Sequence, residues 1–161
     1  MPHLQMKKSK LKLMPFDIIS KMNVILDTNI WISFLFGKQL HSVASVFDNA
    51  DIKVYVSPEQ VAEMQSVLSR PKICEHISKE SIEAMWDLMR TRCYPIECYH
   101  AVESPIRDVK DAYLLAMAEA IPANVIVTGD KDLLVLKQHH DTAIMTYQEF
   151  LVLLSGIRFQ P

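Results

Sequence analysis

The spacing of apolar residues changes repeatedly along this chain, and each change marks an element. Asn23 to Leu26 is a short, nearly unbroken apolar run of β-forming residues, as expected of a central strand buried on both faces. It stops at Asp27, after which Ile30, Trp31, Ile32, Phe34 and Leu35 take helical spacing as far as Gly37. Leu40 to Ala50 predicts a second helix, with Val43, Val46 and Phe47 on one face, and Ile52 to Val56 a second strand. Ser57-Pro58-Glu59 supplies an N-cap, a proline at the first helical position and an acid in the first turn, so a helix opens there and runs to about Ser69, stopped by Pro71. A further helix starts at Ser78 or Ser81 and reaches Arg92; Tyr94 to Tyr99 is a weaker strand. Asp108 to Ala120 predicts a helix ended by Pro122, followed by a strand at 124–128 and a short helix from Lys131 to Gln138. A strand at Thr142 to Met145 and a helix from Tyr147 to Leu154 complete the pattern.

Strands alternating with helices predict an α/β class fold, a layered parallel sheet with right-handed crossovers. Half of the 161 residues are hydrophobic, which suits one globular domain with a sizeable core. No apolar run reaches the roughly 18–20 residues of a membrane span, and no secretory leader pattern follows the first lysines. Three cysteines, Cys74, Cys93 and Cys98, suit a reduced, cytoplasmic chain better than a disulfide scaffold.

Charge divides the chain. In residues 1–21, five lysines (Lys7, Lys8, Lys10, Lys12 and Lys21) face Asp17 alone, a surplus of +4 that leaves −6 for the rest of a chain of net charge −2. With Met22 just before the first strand, residues 1–21 read as a basic N-terminal extension, disordered or a misplaced start, and residues 22–161 as the domain. The acidic body is a poor non-specific binder of phosphate backbones, so a nucleic-acid ligand requires cations to neutralise the site.

In open α/β sheets, ligands collect outside the carboxyl ends of the strands. Asp27 ends the first strand, and Asp130 and Asp132 follow the strand at 124–128. The helices that carry Glu63 and Asp111 both begin at that same edge, because a crossover helix runs antiparallel to the strands it connects. Topology therefore lets Asp27, Glu63, Asp111 and Asp130 converge, with Asp108 and Asp132 beside them. Carboxylates this close repel unless protonated or bound to cations, and oxygen-only ligands select hard ions such as Mg²⁺ or Mn²⁺. Two such ions about 3.5–4 Å apart suit phosphodiester hydrolysis. Taken singly, each acid has a plainer reading: Glu63 as a solvated helix residue, Asp111 as a partner for the helix dipole, Asp130 as a cap. Asp27 reads equally as N-cap and as ligand; the co-occurrence of all four favours a site.

The order and spacing of Val24-Ile25-Leu26-Asp27-Thr28-Asn29, Ser57-Pro58-Glu59-Gln60-Val61-Ala62-Glu63, Arg107-Asp108-Val109-Lys110-Asp111-Ala112 and Val125-Ile126-Val127-Thr128-Gly129-Asp130-Lys131-Asp132 resemble the PIN-domain family. The resemblance extends from about Asn23 to Leu153, and within the family is nearest to toxins of type II toxin–antitoxin pairs. It implies a three-layer α/β/α fold around a parallel sheet of about five strands in order 3-2-1-4-5, often a homodimer, and no membrane association. It implies a Mg²⁺- or Mn²⁺-dependent endoribonuclease that hydrolyses RNA with metal-activated water, and a cognate antitoxin that blocks the site. The family's acid quartet falls on Asp27, Glu63, Asp111 and Asp130, with Asp132 as an extra metal-binding acid and Thr28, Asn29 and Thr128 in support. Asp111 is placed ahead of Asp108 because the Ala-Tyr-Leu-Leu-Ala-Met-Ala after it matches the family helix. The basic extension has no counterpart in the family pattern. A PIN-like binding or regulatory module with little catalysis, and a metal-dependent phosphatase, are the alternative functions.

Other chemistry is weaker. His139-His140 reads as a surface turn rather than a metal pair, because sequence neighbours do not face one site on a helix. Cys93 and Cys98 lack a second cysteine pair at zinc spacing, and the methionines and Trp86 read as core filling. Arg70, Lys72, Arg107, Lys110 and Lys131 lie near the acidic edge, where phosphates could be held. Three glycines leave neither a P-loop nor a dinucleotide fingerprint.

Overall fold

The computed structural model describes residues 21–37, 40–96 and 109–158. Residues 1–20 of the basic extension, Asp108, and the part of the Tyr94–Tyr99 strand beyond Ile96 lie outside the described residues. Strand β1 is Met22–Leu26, followed by helices α1 (Thr28–Phe36) and α2 (Leu40–Phe47), then β2 (Ile52–Val56). Helices α3 (Pro58–Leu68), α4 (Pro71–Cys74) and α5 (Lys79–Arg92) precede the two-residue β3 (Tyr94–Pro95). The chain continues through α6 (Val109–Ala120), β4 (Val125–Val127), α7 (Lys131–Leu136), β5 (Gln138–His139), β6 (Thr142–Met145) and α8 (Tyr147–Arg158).

The sheet order is β3-β2-β1-β4-β6-β5. The first five strands in that order pair in parallel, with Val24 opposite both Val54 and Val125. They carry the expected 3-2-1-4-5 arrangement. The addition is β5, a short antiparallel edge strand that pairs Gln138 with Ala143 and His139 with Thr142. It shortens the helix expected to reach Gln138: α7 stops at Leu136, and Lys137 turns the chain with φ 59°. His140 makes the next turn with φ 49°. Two polar residues in an edge hairpin leave no alternating apolar signal, so periodicity passes over them.

Alternation along the central strands builds two cores. Val24 and Leu26 of β1, with Val125 and Val127 of β4, face a layer containing Trp31, Phe34, Met64 and Met85. Ile25, Ile126 and Ile144 face the opposite layer, with Leu114, Leu115, Met117 and Leu133. This period-two division is what sandwiches a parallel sheet between helices, giving three layers. The methionines among the described residues are core filling as expected, with Met64, Met85 and Met117 fully buried.

Local signals fix the helices that position the acidic edge. Ser57 accepts the backbone N–H of Gln60 at 3.2 Å, and Pro58 occupies the first helical position, so α3 starts directly at the end of β2. Ser78 caps α5 in the same way through Ser81. Pro71 both closes the preceding segment and opens the four-residue α4. No helix among the described residues is long and apolar enough to cross a membrane.

Candidate active site

Asp27 ends β1, where its backbone N–H donates to Val127 at 2.9 Å and its carbonyl accepts from Ile30. It holds the N-cap position of α1, yet its side chain makes no capping hydrogen bond. The carboxylate turns instead to β4, where Oδ2 accepts from the Thr128 hydroxyl at 2.6 Å. Asp27 is 5% exposed and Thr128 fully buried. Burial is the main cause that holds the Asp27 carboxyl above its ordinary value; the Thr128 bond draws it down, the charge of Glu63 pushes it up, and the N–H groups of Asn29 and Thr28 draw it down.

Glu63 reaches the same edge from α3. Its Oε2 accepts from the Thr28 hydroxyl at 2.9 Å and from the Tyr113 hydroxyl at 2.6 Å, while the two hydroxyl oxygens lie 3.2 Å apart. Burial, and then the bond to Glu63, raise the Tyr113 phenol above its ordinary value, so it stays protonated and donates. Thr28 thus sits between the two acids in sequence and in space: it follows Asp27 directly and holds Glu63.

Thr128 also binds the second acidic turn, since its oxygen accepts the backbone N–H of Asp130 at 3.0 Å. Asp130 caps α7 through Asp132 N–H at 2.7 Å, so the capping reading holds for this residue. Asp132 is exposed in the first turn of the same helix. Asn29 accepts from Gly129 N–H at 3.3 Å and ties the start of α1 to the turn after β4. Asp111 lies in the first turn of α6, the end of that helix at the acidic edge.

The edge therefore holds two hydrogen-bonded sets, Asp27 and the Asp130 turn on Thr128, and Glu63 on Thr28 and Tyr113, adjoining at the Asp27–Thr28 peptide. It does not pack them against a point. Among the described residues, the one set of three potential metal ligands with atoms within 4.8 Å of one another is Glu119, His139 and His140, elsewhere in the fold. Like charges sharing an edge repel, and Oδ1 of Asp130 is engaged by its cap.

Two side chains here escaped the sequence reading. Tyr113 carried one faint signal, a lone hydroxyl in an otherwise apolar helix face two residues after Asp111. Gln60, fully buried, donates its side-chain amide to the carbonyl of Leu26 and so fixes the strand end just before Asp27. In the sequence it is indistinguishable from a solvated first-turn residue.

Carboxylate and hydroxyl oxygens are the donors that hard divalent cations take, and no lysine or arginine among the described residues pairs with Asp27, Glu63 or Asp130. Arg70, Lys72 and Lys131 are exposed and supply only a solvated positive fringe.

A family model described as PIN domain matches residues 23–132. No curated protein matches the chain. Among solved structures, a chain of VapBC2 from Rickettsia felis, bound to a DNA fragment from its promoter, is similar with a TM-score of 0.50 and 17% identity. The match covers 76% of this chain and 97% of that one; at this identity it is a likeness of fold.

Proposed function

The chain belongs to the PIN domain family, and on that premise we propose that it is a Mg²⁺- or Mn²⁺-dependent endoribonuclease, the toxin of a toxin–antitoxin pair acting in the cytoplasm. Asp27, Glu63, Asp111 and Asp130 are its catalytic acids, with Asp132 as an added ligand. The observation that carries this reading is the Asp27 carboxylate: buried, held by Thr128 and sharing its edge with a second acid, with no cationic side chain pairing with it among the described residues. When bound there, a divalent cation supplies the positive charge that keeps both acids ionised and polarises a phosphodiester.

The chain's own residues do the positioning. Thr128 aims Asp27, while Thr28 and Tyr113 aim Glu63. Asn29 fixes the two turns against each other. None of these groups is placed as a covalent nucleophile, so water is the attacking species. Asp108 is proposed as a neighbouring acid only. The resemblance in fold to VapBC2 supports a cognate antitoxin as partner, and a homodimer is proposed with it.

The test is cleavage of single-stranded RNA by purified protein with and without Mg²⁺ or Mn²⁺. Asp27→Asn, Glu63→Gln, Asp111→Asn and Asp130→Asn are each expected to lower the rate by at least about a hundredfold, more than loss of a supporting group costs. Unchanged rates in the first two variants overturn the assignment. Ion binding without cleavage of any polymer favours the binding module, and turnover of small phosphomonoesters alone favours the phosphatase.

A further inference from the structure

At the opposite edge of the sheet, the chain assembles ligands of a different chemical kind. Glu119 lies in the last turn of α6, far from the end that carries Asp111, and His139 and His140 come just before β6 begins. Their Nε2 atoms lie 2.7 and 3.2 Å from one oxygen of Glu119, Oε1. All three ligand atoms fall within 4.8 Å of one another, and the two rings meet edge-on with centroids 4.5 Å apart.

Sequence neighbours share a site here because they are in a hairpin, not on a helix. The left-handed φ of 49° at His140 swings its ring to the side that His139 already faces. Such a backbone is uncommon outside glycine, though histidine is among the residues enriched in it. The side-chain amide of Gln138 donates to the His140 carbonyl across the turn, Ile144 N–H donates to Lys137 at 2.9 Å, and the Thr142 hydroxyl donates to Ala123 at 2.7 Å. The turn is built from both sides before any ligand arrives.

We propose that Glu119, His139 and His140 form a second metal site, of zinc type. Two imidazoles and one carboxylate are a recurrent zinc set that leaves the fourth tetrahedral position open. At Zn–N distances of about 2.0–2.1 Å, tetrahedral ligand atoms stand about 3.3–3.4 Å apart, so the two histidine–glutamate spacings need only a small expansion. Imidazole donors favour Zn²⁺ over the hard ions that suit the acidic edge. The side chains grade outward from 12% exposed at His139 through 38% at Glu119 to 71% at His140, which gives the ion an entry path and the open position access to water. A bound ion cross-links the end of α6 to the β5–β6 hairpin, steadying the helix that carries Asp111 at its other end.

The test is calorimetric titration of untagged, ion-free full-length protein with ZnCl₂, paired with thermal melts. One Zn²⁺ per chain and a higher melting temperature are expected for Asp27→Asn, whose acidic edge has lost its buried carboxylate and no longer competes for the ion. In that background His140→Ala and Glu119→Gln are expected to weaken binding by at least about a hundredfold, beyond the loss that a change to an outer supporting group brings. Absence of Zn²⁺ uptake by Asp27→Asn, or unchanged uptake when either ligand change is added to it, overturns the proposal and leaves an ordinary Glu–His pair.

Discussion

The hydroxyl of Thr128 lies 2.6 Å from Oδ2 of Asp27, although 101 positions separate the two residues in the chain. The bond joins the ends of the two central strands through the carboxylate at the start of α1. It also leaves Thr128 as acceptor for Asp130 N–H, so one side chain sets two acidic turns.

Replacing that hydroxyl tests its weight. Thr128→Val keeps the shape and removes the donor, and a hydrogen bond to a charged group is worth about 1.5–3 kcal/mol. Chemical denaturation of the ion-free protein is expected to show a loss in that range, and Mn²⁺ affinity to fall about ten- to a hundredfold. Thr128→Ser, which restores the donor, should recover most of the affinity; equal loss in both variants would point to packing instead.

Glu63 has two donors, so it should tolerate losing one. Tyr113→Phe removes the phenol hydroxyl and leaves the Thr28 bond at 2.9 Å. A stability cost of about 1 kcal/mol is expected, with weaker Mn²⁺ binding and RNA cleavage restored by higher Mn²⁺ concentration. Failure of added metal to restore the rate would give Tyr113 a role beyond positioning.

The buried Asp27 predicts an uncommon dependence of stability on pH. Its folded carboxyl is held above the ordinary value of 3.8, first by burial. Below 3.8 it is protonated in both states, and this contribution to stability is fully present. As pH rises from there through the raised folded value, the unfolded chain releases the proton first and the folded state loses stability. Ion-free Asp27→Asn lacks this loss. It is expected to melt above the wild type at neutral pH, and added Mn²⁺ is expected to reverse the order by stabilising only the wild type. A wild type that melts higher without ions contradicts the burial argument.

The two cores predict where the fold is intolerant. Ile126 is fully buried in the central strand β4, and Ile126→Ala should cost about 2–5 kcal/mol by urea melt. Val135, 75% exposed on α7, should change stability by less than about 0.5 kcal/mol as alanine.

Much of this was legible in the residues. Val24 to Leu26 and Val125 to Val127 declared themselves as central strands by unbroken apolar character, and Ser57-Pro58 announced the start of α3 through capping chemistry. Those signals are local. Topology then carried Asp27, Glu63, Asp111 and Asp130 to one edge, because helix direction follows from strand direction. Long-range side-chain choices were not legible. Nothing near Asp27 in sequence says that its carboxylate accepts from Thr128, or that Gln60 is buried against Leu26 rather than solvated. The His139-His140 turn was expected, but its joint approach to Glu119 depends on a left-handed residue that periodicity cannot register.

The most direct measurement is a calorimetric titration with Mn²⁺ of the His140→Ala protein, in which the histidine cluster is disabled, with and without the further change Asp27→Asn. Saturable Mn²⁺ binding that disappears with the Asp27 carboxylate is the predicted result. Binding of equal strength in both proteins, or none in either, would contradict the claim that this buried acid holds a divalent cation.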